Sequence, residues 1–172
     1  MSLGEKSIVF IGFMGVGKTT IGQLVASKLN RSFIDIDHEI EKEFQMPTTQ
    51  IFKVVGEKTF REKEKSLISQ LSSESKTIIS VGGGAFLQEE VKEICLSNCM
   101  VIFLDISWEL WKERLNTILN TRPVLQGRTL DEIKELFYKR QESYSEHHLK
   151  IQIDGLDPDS IADYIMEALH KA

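Results

Sequence analysis

The glycine-rich stretch "GFMGVGKTT", residues 12–20, constrains this chain more than any other segment. It follows the apolar run "SIVFI", which predicts a short buried strand, and it precedes "TTIGQLVASKLN", in which apolar residues recur at helical spacing. Gly12, Gly17, Lys18 and Thr19 satisfy the pattern G-x-x-x-x-G-K-[ST]. Between a strand and a helix, this pattern predicts a loop that holds phosphate groups.

The residue types in this loop indicate which phosphates it holds. Glycines let the backbone curl so that successive N–H groups point at phosphate oxygens. Lys18 is expected to reach the β- and γ-phosphates, and the Thr19 hydroxyl to ligate Mg²⁺, which predicts a nucleoside triphosphate as the bound species. The residues that we assign to this nucleotide are Met14, Gly15, Val16, Gly17, Lys18, Thr19 and Thr20.

The rest of the chain alternates between short apolar runs and longer segments of helical spacing. The runs are "SIVFIG", "FIDID", "TIISVG", "MVIFLD" and "LKIQID". Strands that alternate with helices predict an α/β fold with a parallel sheet and helices on both faces. With 172 residues, 41% of them hydrophobic, we expect one domain over 1–172, with its core over 7–170.

Composition excludes several kinds of partner. A net charge of -5 argues against nucleic acid or an anionic membrane surface. No apolar run has the length of a membrane span and "MSLGEK" lacks the pattern of a secretory signal, so we expect a cytoplasmic protein. Cys95 and Cys99 are too few for a disulfide framework, and we expect reduced, partly buried thiols.

Three classes of nucleotide-binding protein remain open. A GTP switch needs a guanine-specific N-K-x-D, and the chain contains none. An ATP-driven mechanical module usually needs a larger domain and arginines from a second subunit. A kinase for a small molecule needs an acceptor site, and the remaining motifs supply candidates for one.

Two acids in "FIDID", Asp35 and Asp37, follow the second apolar run. If the strand continues through both, their carboxylates project from one face at the sheet edge where the phosphate loop lies. One would hold Mg²⁺ through water and the other would orient an acceptor hydroxyl. The alternative is that one is a turn residue and the other the N-cap of the helix "HEIEKEF".

Further acceptor candidates are the three glycines of "VGGGAF", residues 82–84, and three arginines. The glycines allow a ligand to approach the backbone, although a plain tight turn explains them equally well. Each arginine also has a simpler explanation: Arg61 pairs with Glu57 or Glu64 at helical spacing, Arg140 pairs with an exposed acid nearby, and Arg122 is a solvated loop arginine. Together, arginine forks would suit an acceptor that carries a carboxylate.

These motifs, in their order along the chain, resemble the shikimate kinase family. The markers are the phosphate loop, "DID", "IFKVVGEKTFREKE", "SVGGGA", "NTRPVL" and "KRQESY". The resemblance covers nearly the whole chain. It implies a P-loop kinase fold with a five-stranded parallel sheet in the order 2-3-1-4-5, a substrate-binding helical segment over about 38–66 and a lid over about 114–128.

The resemblance also implies a role for each motif residue. Lys18 and Thr19 would meet the phosphates and Mg²⁺, with Asp35 near the metal. Asp37 would contact the shikimate hydroxyls, Arg61 and Arg140 its carboxylate, and the backbone of Gly83 its ring hydroxyls. Arg122 would reach the phosphates from the lid. The residues assigned to catalysis are Lys18, Asp37 and Arg122, and those assigned to shikimate are Asp37, Arg61, Gly82, Gly83, Gly84 and Arg140.

The implied activity is ATP-dependent phosphorylation of the 3-hydroxyl of shikimate, in the synthesis of aromatic amino acids, with ATP and Mg²⁺ as cofactors. Alternatives are a kinase of the same fold for gluconate or a nucleoside monophosphate, and a non-catalytic nucleotide-binding module. We expect a monomer. Arg114, in "WKERL", is a candidate for stacking on the base, whereas Trp108 and Trp111 are interpreted as core or lid support.

Overall fold

The computed structural model describes residues 4–119 and 122–171, which form short strands connected by helices. The strands are β1 (Ile8–Ile11), β2 (Ser32–Asp35), β3 (Thr77–Ser80), β4 (Met100–Asp105) and β5 (Leu149–Gln152). The helices are α1 (Lys18–Leu29), α2 (Ile36–Phe44), α3 (Thr48–Val54), α4 (Glu57–Ser72), α5 (Glu89–Asn98), α6 (Trp108–Glu113), α7 (Leu115–Ile118), α8 (Leu130–Ser143) and α9 (Pro158–Lys171). Single 3₁₀ turns cover Ala85–Leu87 and Pro123–Leu125.

The strands form a five-stranded parallel sheet in the order β2-β3-β1-β4-β5, which confirms the predicted fold. Val9 in the central strand pairs with Ile79 on one side and Val101 on the other. Every residue of β1 and of β3 is buried, so the helices cover both faces of the sheet. The edge strand β5 alternates between half-buried and exposed residues.

Local capping explains where the last helix begins. The carboxylate of Asp157 accepts a hydrogen bond from the Ser160 N–H at 2.8 Å, and Pro158 is the first helical residue. A proline is suited to this position because its missing N–H would have no partner inside the helix. Ile161 and Ile165 then lie buried on one face.

The structure corrects the predicted second strand. β2 ends at Asp35, and Asp37 lies in the first turn of α2. The two carboxylates therefore do not share a strand face. The physical reason is local, because the Asp35 side chain accepts the His38 N–H at 3.2 Å and caps the helix. Ile36 and Ile40, four residues apart and both fully buried, give α2 its inward face.

Two predictions about buried side chains have clear outcomes. Trp108 and Trp111 are buried core residues, as interpreted. Cys95 and Cys99 are fully buried rather than partly buried, and burial raises the pKa of both thiols, that of Cys99 to about 11. Both thiols therefore stay protonated near neutral pH. In the part of the chain that the structure describes, no helix has the length and apolar character needed to cross a membrane.

Candidate active site

A cleft of about 830 Å³ opens at the end of the sheet where β1, β2 and β3 stop. Ligands of open parallel sheets bind at this carboxyl edge. Most of the sequence-predicted site residues line it together: Met14, Lys18, Thr19, Asp35, Asp37, Arg61, Gly82, Gly83, Gly84, Arg122 and Arg140. Gly15, Val16, Gly17 and Thr20 belong to the same loop and the start of α1.

The phosphate loop has the backbone conformation that its glycines allow. Gly15 has φ +76° and Gly17 has φ +106°, values that residues with a side chain rarely adopt. Gly17 is the N-cap of α1 and no side chain caps its N–H groups. The partial positive charge of a helix N-terminus and these N–H groups make a site for an anion.

Lys18 lies folded against the loop that it follows. Its Nζ donates to the carbonyl oxygens of Gly12 at 2.6 Å and Phe13 at 3.1 Å, and only 8% of the residue is exposed. Burial, and then the nearby charge of Arg122, lowers the pKa of Lys18 to about 7. The negative charge of bound phosphate would restore the protonated form.

Thr19 and Asp35 meet across the cleft floor. The Thr19 hydroxyl donates to Asp35 Oδ2 at 2.6 Å, while the other carboxylate oxygen caps α2. One hydroxyl and one carboxylate fit Mg²⁺, which usually keeps several waters and takes its other ligands from substrate phosphates. Residues 4–119 and 122–171 contain no group of three or more His, Cys, Asp or Glu side chains that could hold a metal by themselves.

Asp37 is the second acid of the cleft. Burial, and then the charge of Asp35, raises its pKa, whereas Arg122, Lys18 and Arg61 act in the opposite direction. Its Oδ1 is buried and has no hydrogen-bond partner among the described residues. A carboxylate oxygen in this state is ready to accept a hydrogen bond from a ligand hydroxyl.

Arg61 is held by acids of its own helix. Its Nη1 donates to Glu64 at 2.9 Å, and its Nε lies 3.5 Å from Glu57. The predicted helical ion pairs are therefore present, but Glu64 has no exposed surface, and burial raises its pKa to about 7. Gln88 donates to the same Glu64 oxygen at 3.0 Å. The spacing from Arg61 predicted Glu64 as an ion-pair partner but gave no signal that this acid is buried.

Arg140 converges with Arg61 on one glycine. A Cβ atom at Gly84 would lie 2.6 Å from Arg61 Nη2 and 2.8 Å from Arg140 Nη1, so a larger residue here would displace both guanidinium groups. Arg140 is 7% exposed, and its Nη1 has no hydrogen-bond partner within the described chain. Two arginine forks that meet at one point suit a carboxylate.

Arg122 enters the cleft from the segment predicted as a lid. It has extended backbone angles, φ -119° and ψ 108°, and its side chain lines the cleft beside Pro123. Its Nε is buried without a partner among the residues described. Asn120 and Thr121, which belong to the predicted lid, lie outside the described residues.

Trp111 of α6 and Arg114, which follows α6 directly, donate hydrogen bonds to the phosphate loop. Arg114 Nη1 donates to the carbonyls of Gly15 and Val16, both at 3.2 Å, and Trp111 Nε1 donates to Met14 at 2.7 Å. Arg114 thus contacts the predicted nucleotide loop. The hydrogen bond from Trp111 to Met14 was not predicted from the sequence, because its partners lie 97 positions apart and leave no local signal.

A phosphate loop, a hydroxyl–carboxylate pair suited to Mg²⁺ and two converging arginines in one cleft define a P-loop kinase for a small anionic acceptor. Comparison with known proteins agrees. The family model described as "Shikimate kinase" matches residues 14–170. The chain belongs to the shikimate kinase family.

Relatives and solved structures give the degree of similarity. The shikimate kinase of Oceanobacillus iheyensis is 52% identical over 170 residues, which cover 99% of this chain and 93% of that protein. The shikimate kinase of Bacillus subtilis is 51% identical over 166 residues, covering 96% of this chain and 89% of its own length. A structure of the Acinetobacter baumannii shikimate kinase in complex with shikimate has a TM-score of 0.90 at 30% identity, with 96% of this chain and 93% of that chain covered.

Proposed function

We propose that this chain transfers the γ-phosphoryl group of ATP to the 3-hydroxyl of shikimate and releases ADP and shikimate 3-phosphate. The observation that carries the proposal is the convergence of Arg61 and Arg140 on Gly84, in the same cleft as the phosphate loop. Shikimate offers one carboxylate and a ring of hydroxyls. The arginine pair would bind the carboxylate, which directs the hydroxyls toward Asp37 and the phosphates.

On the donor side, the chain's own groups bind and orient the triphosphate. Loop N–H groups and the N-terminus of α1 would hold phosphate oxygens, and Lys18 would leave the Gly12 and Phe13 carbonyls to meet the transferring group. Thr19 and Asp35 would hold Mg²⁺, which when bound neutralises charge on the β- and γ-phosphates. The loop and Lys18 therefore supply position and charge rather than a covalent intermediate.

On the acceptor side, Asp37 would orient the attacking hydroxyl and take its proton. The raised pKa of Asp37 makes it a better proton acceptor than an exposed aspartate. Lys18, Arg61 and Arg122 counteract the effect of burial and favour its ionised form. As the hydroxyl oxygen bonds to the phosphorus, its proton passes to Asp37 and the bond to the ADP oxygen breaks.

We infer the domain organisation from the same arrangement: one kinase domain, a substrate-binding segment over about 38–66 and a lid over about 114–128. Arg61 belongs to that segment and Arg122 to the lid, and both line the cleft. Closure of the lid would bring Arg122 to the transferring phosphoryl group and exclude water. We infer further that the protein acts as a cytoplasmic monomer on dissolved ligands, with no nucleic acid or membrane as partner.

The test is an ADP-release assay with a panel of acceptors. Shikimate is expected to support turnover, whereas gluconate and nucleoside monophosphates leave ADP release at the rate without acceptor. Phosphorus NMR coupled to ring protons would locate the phosphate at the 3-position. Turnover of another acceptor in place of shikimate contradicts the proposal, and so does the absence of turnover with every acceptor.

A further inference from the structure

Two backbone carbonyls of residues that line the cleft accept hydrogen bonds from buried aromatic side chains. The hydroxyl of Tyr144 donates to the Gly83 carbonyl at 2.6 Å, and the indole N–H of Trp111 donates to the Met14 carbonyl at 2.7 Å. Tyr144 is 1% exposed and Trp111 is fully buried. Met14 and Gly83 line the cleft, whereas neither ring is among the described residues that line it. Each ring therefore approaches its carbonyl from outside the cleft.

This arrangement fixes more than the two carbonyls. In a trans peptide the C=O and the following N–H lie in one plane and point in opposite directions. When Tyr144 holds the Gly83 carbonyl away from the cleft, the N–H of Gly84 turns toward it. The same argument turns the N–H of Gly15 toward the cleft, because Trp111 holds the carbonyl of Met14. Gly84 lies between the two arginines, and Gly15 lies in the phosphate loop.

Tyr144 is rigidly placed for this task. It follows α8 directly, and its ring packs against Phe103 with centroids 5.2 Å apart. Arg140, one helical turn earlier, reaches the same glycine turn. Burial raises the pKa of the Tyr144 phenol, so the hydroxyl remains a proton donor at every working pH. A buried hydroxyl without a partner is costly, which keeps this bond formed.

Trp111 has the corresponding position behind the phosphate loop. Its ring packs edge-on against Phe13, with centroids 4.9 Å apart, and its N–H has the Met14 carbonyl as acceptor. Arg114 holds the next two carbonyls of the loop from the same side. The carbonyls of Met14, Gly15 and Val16 thus point toward Trp111 and Arg114, and the N–H of Gly15 is left for the phosphates.

We propose that Tyr144 and Trp111 are positioning residues, one for each substrate: Tyr144 aims the Gly84 N–H at the acceptor, and Trp111 aims the Gly15 N–H at the phosphates of the nucleotide. That the acceptor is shikimate rests on the proposed function, whereas the two hydrogen bonds are features of the structure itself. The glycine turn at residues 82–84 lies against the phosphate loop, because a Cβ atom added to Gly83 would lie 3.1 Å from the Met14 backbone nitrogen. Separate effects on the two substrates therefore indicate separate roles rather than general loosening.

The experiment compares Tyr144→Phe and Trp111→Phe by steady-state kinetics with each substrate varied in turn. Loss of one hydrogen bond predicts that Tyr144→Phe raises the KM for shikimate by roughly tenfold and leaves the KM for ATP within about twofold. Trp111→Phe is expected to raise the KM for ATP by roughly tenfold and to leave the KM for shikimate within about twofold. In both variants kcat at saturation changes less than the affected KM, because neither ring touches the reacting atoms.

Two control variants remove the same atoms elsewhere. Tyr138→Phe alters a half-exposed tyrosine of α8. Trp108→Phe alters a buried tryptophan of α6 that stacks on Trp111 with centroids 5.5 Å apart and whose indole has no hydrogen bond within the described chain. Both controls are expected to keep both KM values near those of the parent, even where Trp108→Phe lowers the melting temperature.

Equal increases in both KM values, or a lower melting temperature with unchanged KM values, would overturn the proposal. Failure of the proposed function is distinguishable from this outcome. If the parent chain does not phosphorylate shikimate, calorimetry with MgATP still tests the Trp111 arm, in which Trp111→Phe must weaken nucleotide binding while Trp108→Phe does not.

Discussion

The buried carboxylate of Glu64 accepts a hydrogen bond from Arg61 at 2.9 Å, and this contact fixes the direction of the guanidinium group. With Nη1 bound to Glu64, Nη2 of Arg61 faces Gly84. The aromatic rings of Phe52 and Phe60 lie 5.9 Å and 5.4 Å from the guanidinium carbon. Arg61 is therefore oriented before any ligand arrives, which lowers the entropic cost of binding a carboxylate.

We expect Arg61→Lys to weaken shikimate binding by roughly tenfold or more, because lysine keeps the charge but loses the planar fork. MgATP binding is expected to stay close to that of the parent. Calorimetry with each ligand measures both. Arg31→Lys is a matched control, since Arg31 binds the carbonyls of Lys6 and Gly4. Equal weakening of both ligands would place Arg61 outside the acceptor pocket.

The raised pKa of Glu64 predicts a pH-dependent stability. Its ordinary pKa is 4.5 and burial raises it to about 7, so between these values the folded chain binds a proton that the unfolded chain does not. The proton that only the folded chain binds stabilises the folded chain. This stabilisation has its full value below pH 4.5 and is lost as the pH rises through about 7.

Glu64→Gln removes this titration. Denaturant unfolding at about pH 5 and about pH 8 is expected to show the variant gaining up to roughly 3 kcal/mol relative to the parent at the higher pH. Asp37→Asn serves for comparison, because burial raises the pKa of Asp37 as well. A difference between the Glu64 variant and the parent that does not change with pH would show that the Glu64 pKa is near its ordinary value.

The lowered pKa of Lys18 predicts that ATP binding takes up a proton. Above about pH 7 the lysine of the free chain is largely neutral, and the phosphates draw a proton onto it. ATP affinity is therefore expected to fall as the pH rises above about 7, by up to tenfold per unit. Calorimetry in two buffers of different ionisation enthalpy measures the uptake, and heats that do not depend on the buffer would contradict it.

Lys18→Ala is expected to abolish this linkage and to lower the rate of transfer. By analogy with the loss of another preorganised contact, the cost is roughly 3–4 kcal/mol in kcat. Steady-state kinetics with a circular dichroism spectrum as folding control measures it. Turnover within a few-fold of the parent would exclude Lys18 from phosphoryl transfer.

Arg122→Ala tests the lid. Arg122 is expected to contact the phosphoryl group only during its transfer, so this contact stabilises the transition state and not the bound substrates. Its removal is therefore expected to lower kcat about a hundredfold. The dissociation constant for shikimate, titrated without nucleotide, is expected to stay nearly unchanged. Lys112→Ala, which removes one exposed charge from α6, is the control. Unchanged kcat in a folded Arg122 variant would remove this residue from the catalytic set.

Local periodicity was sufficient to predict the five strands, and a motif within nine residues was sufficient to predict the phosphate loop. The strand order was predicted from the family resemblance, because it depends on pairings between distant segments. The error at "FIDID" arose because alternating Ile and Asp fit a strand and a capped helix start equally well. The spacing of Ile36 and Ile40 was the signal for the helix. The bond from Tyr144 to Gly83 spans 61 positions, so only the folded chain could reveal it.

The polar atoms left without partners in and beside the cleft lower the heat resistance of this protein. Asp37 Oδ1, Glu64 Oε2, Arg122 Nε and Arg140 Nη1 are all buried without a hydrogen-bond partner among the described residues. Each such atom costs roughly 1–3 kcal/mol of stability. Apolar replacements at these positions would raise the melting temperature and remove the groups that a substrate needs. Substitutions in the outer helices and on the surface can raise the melting temperature without removing these groups.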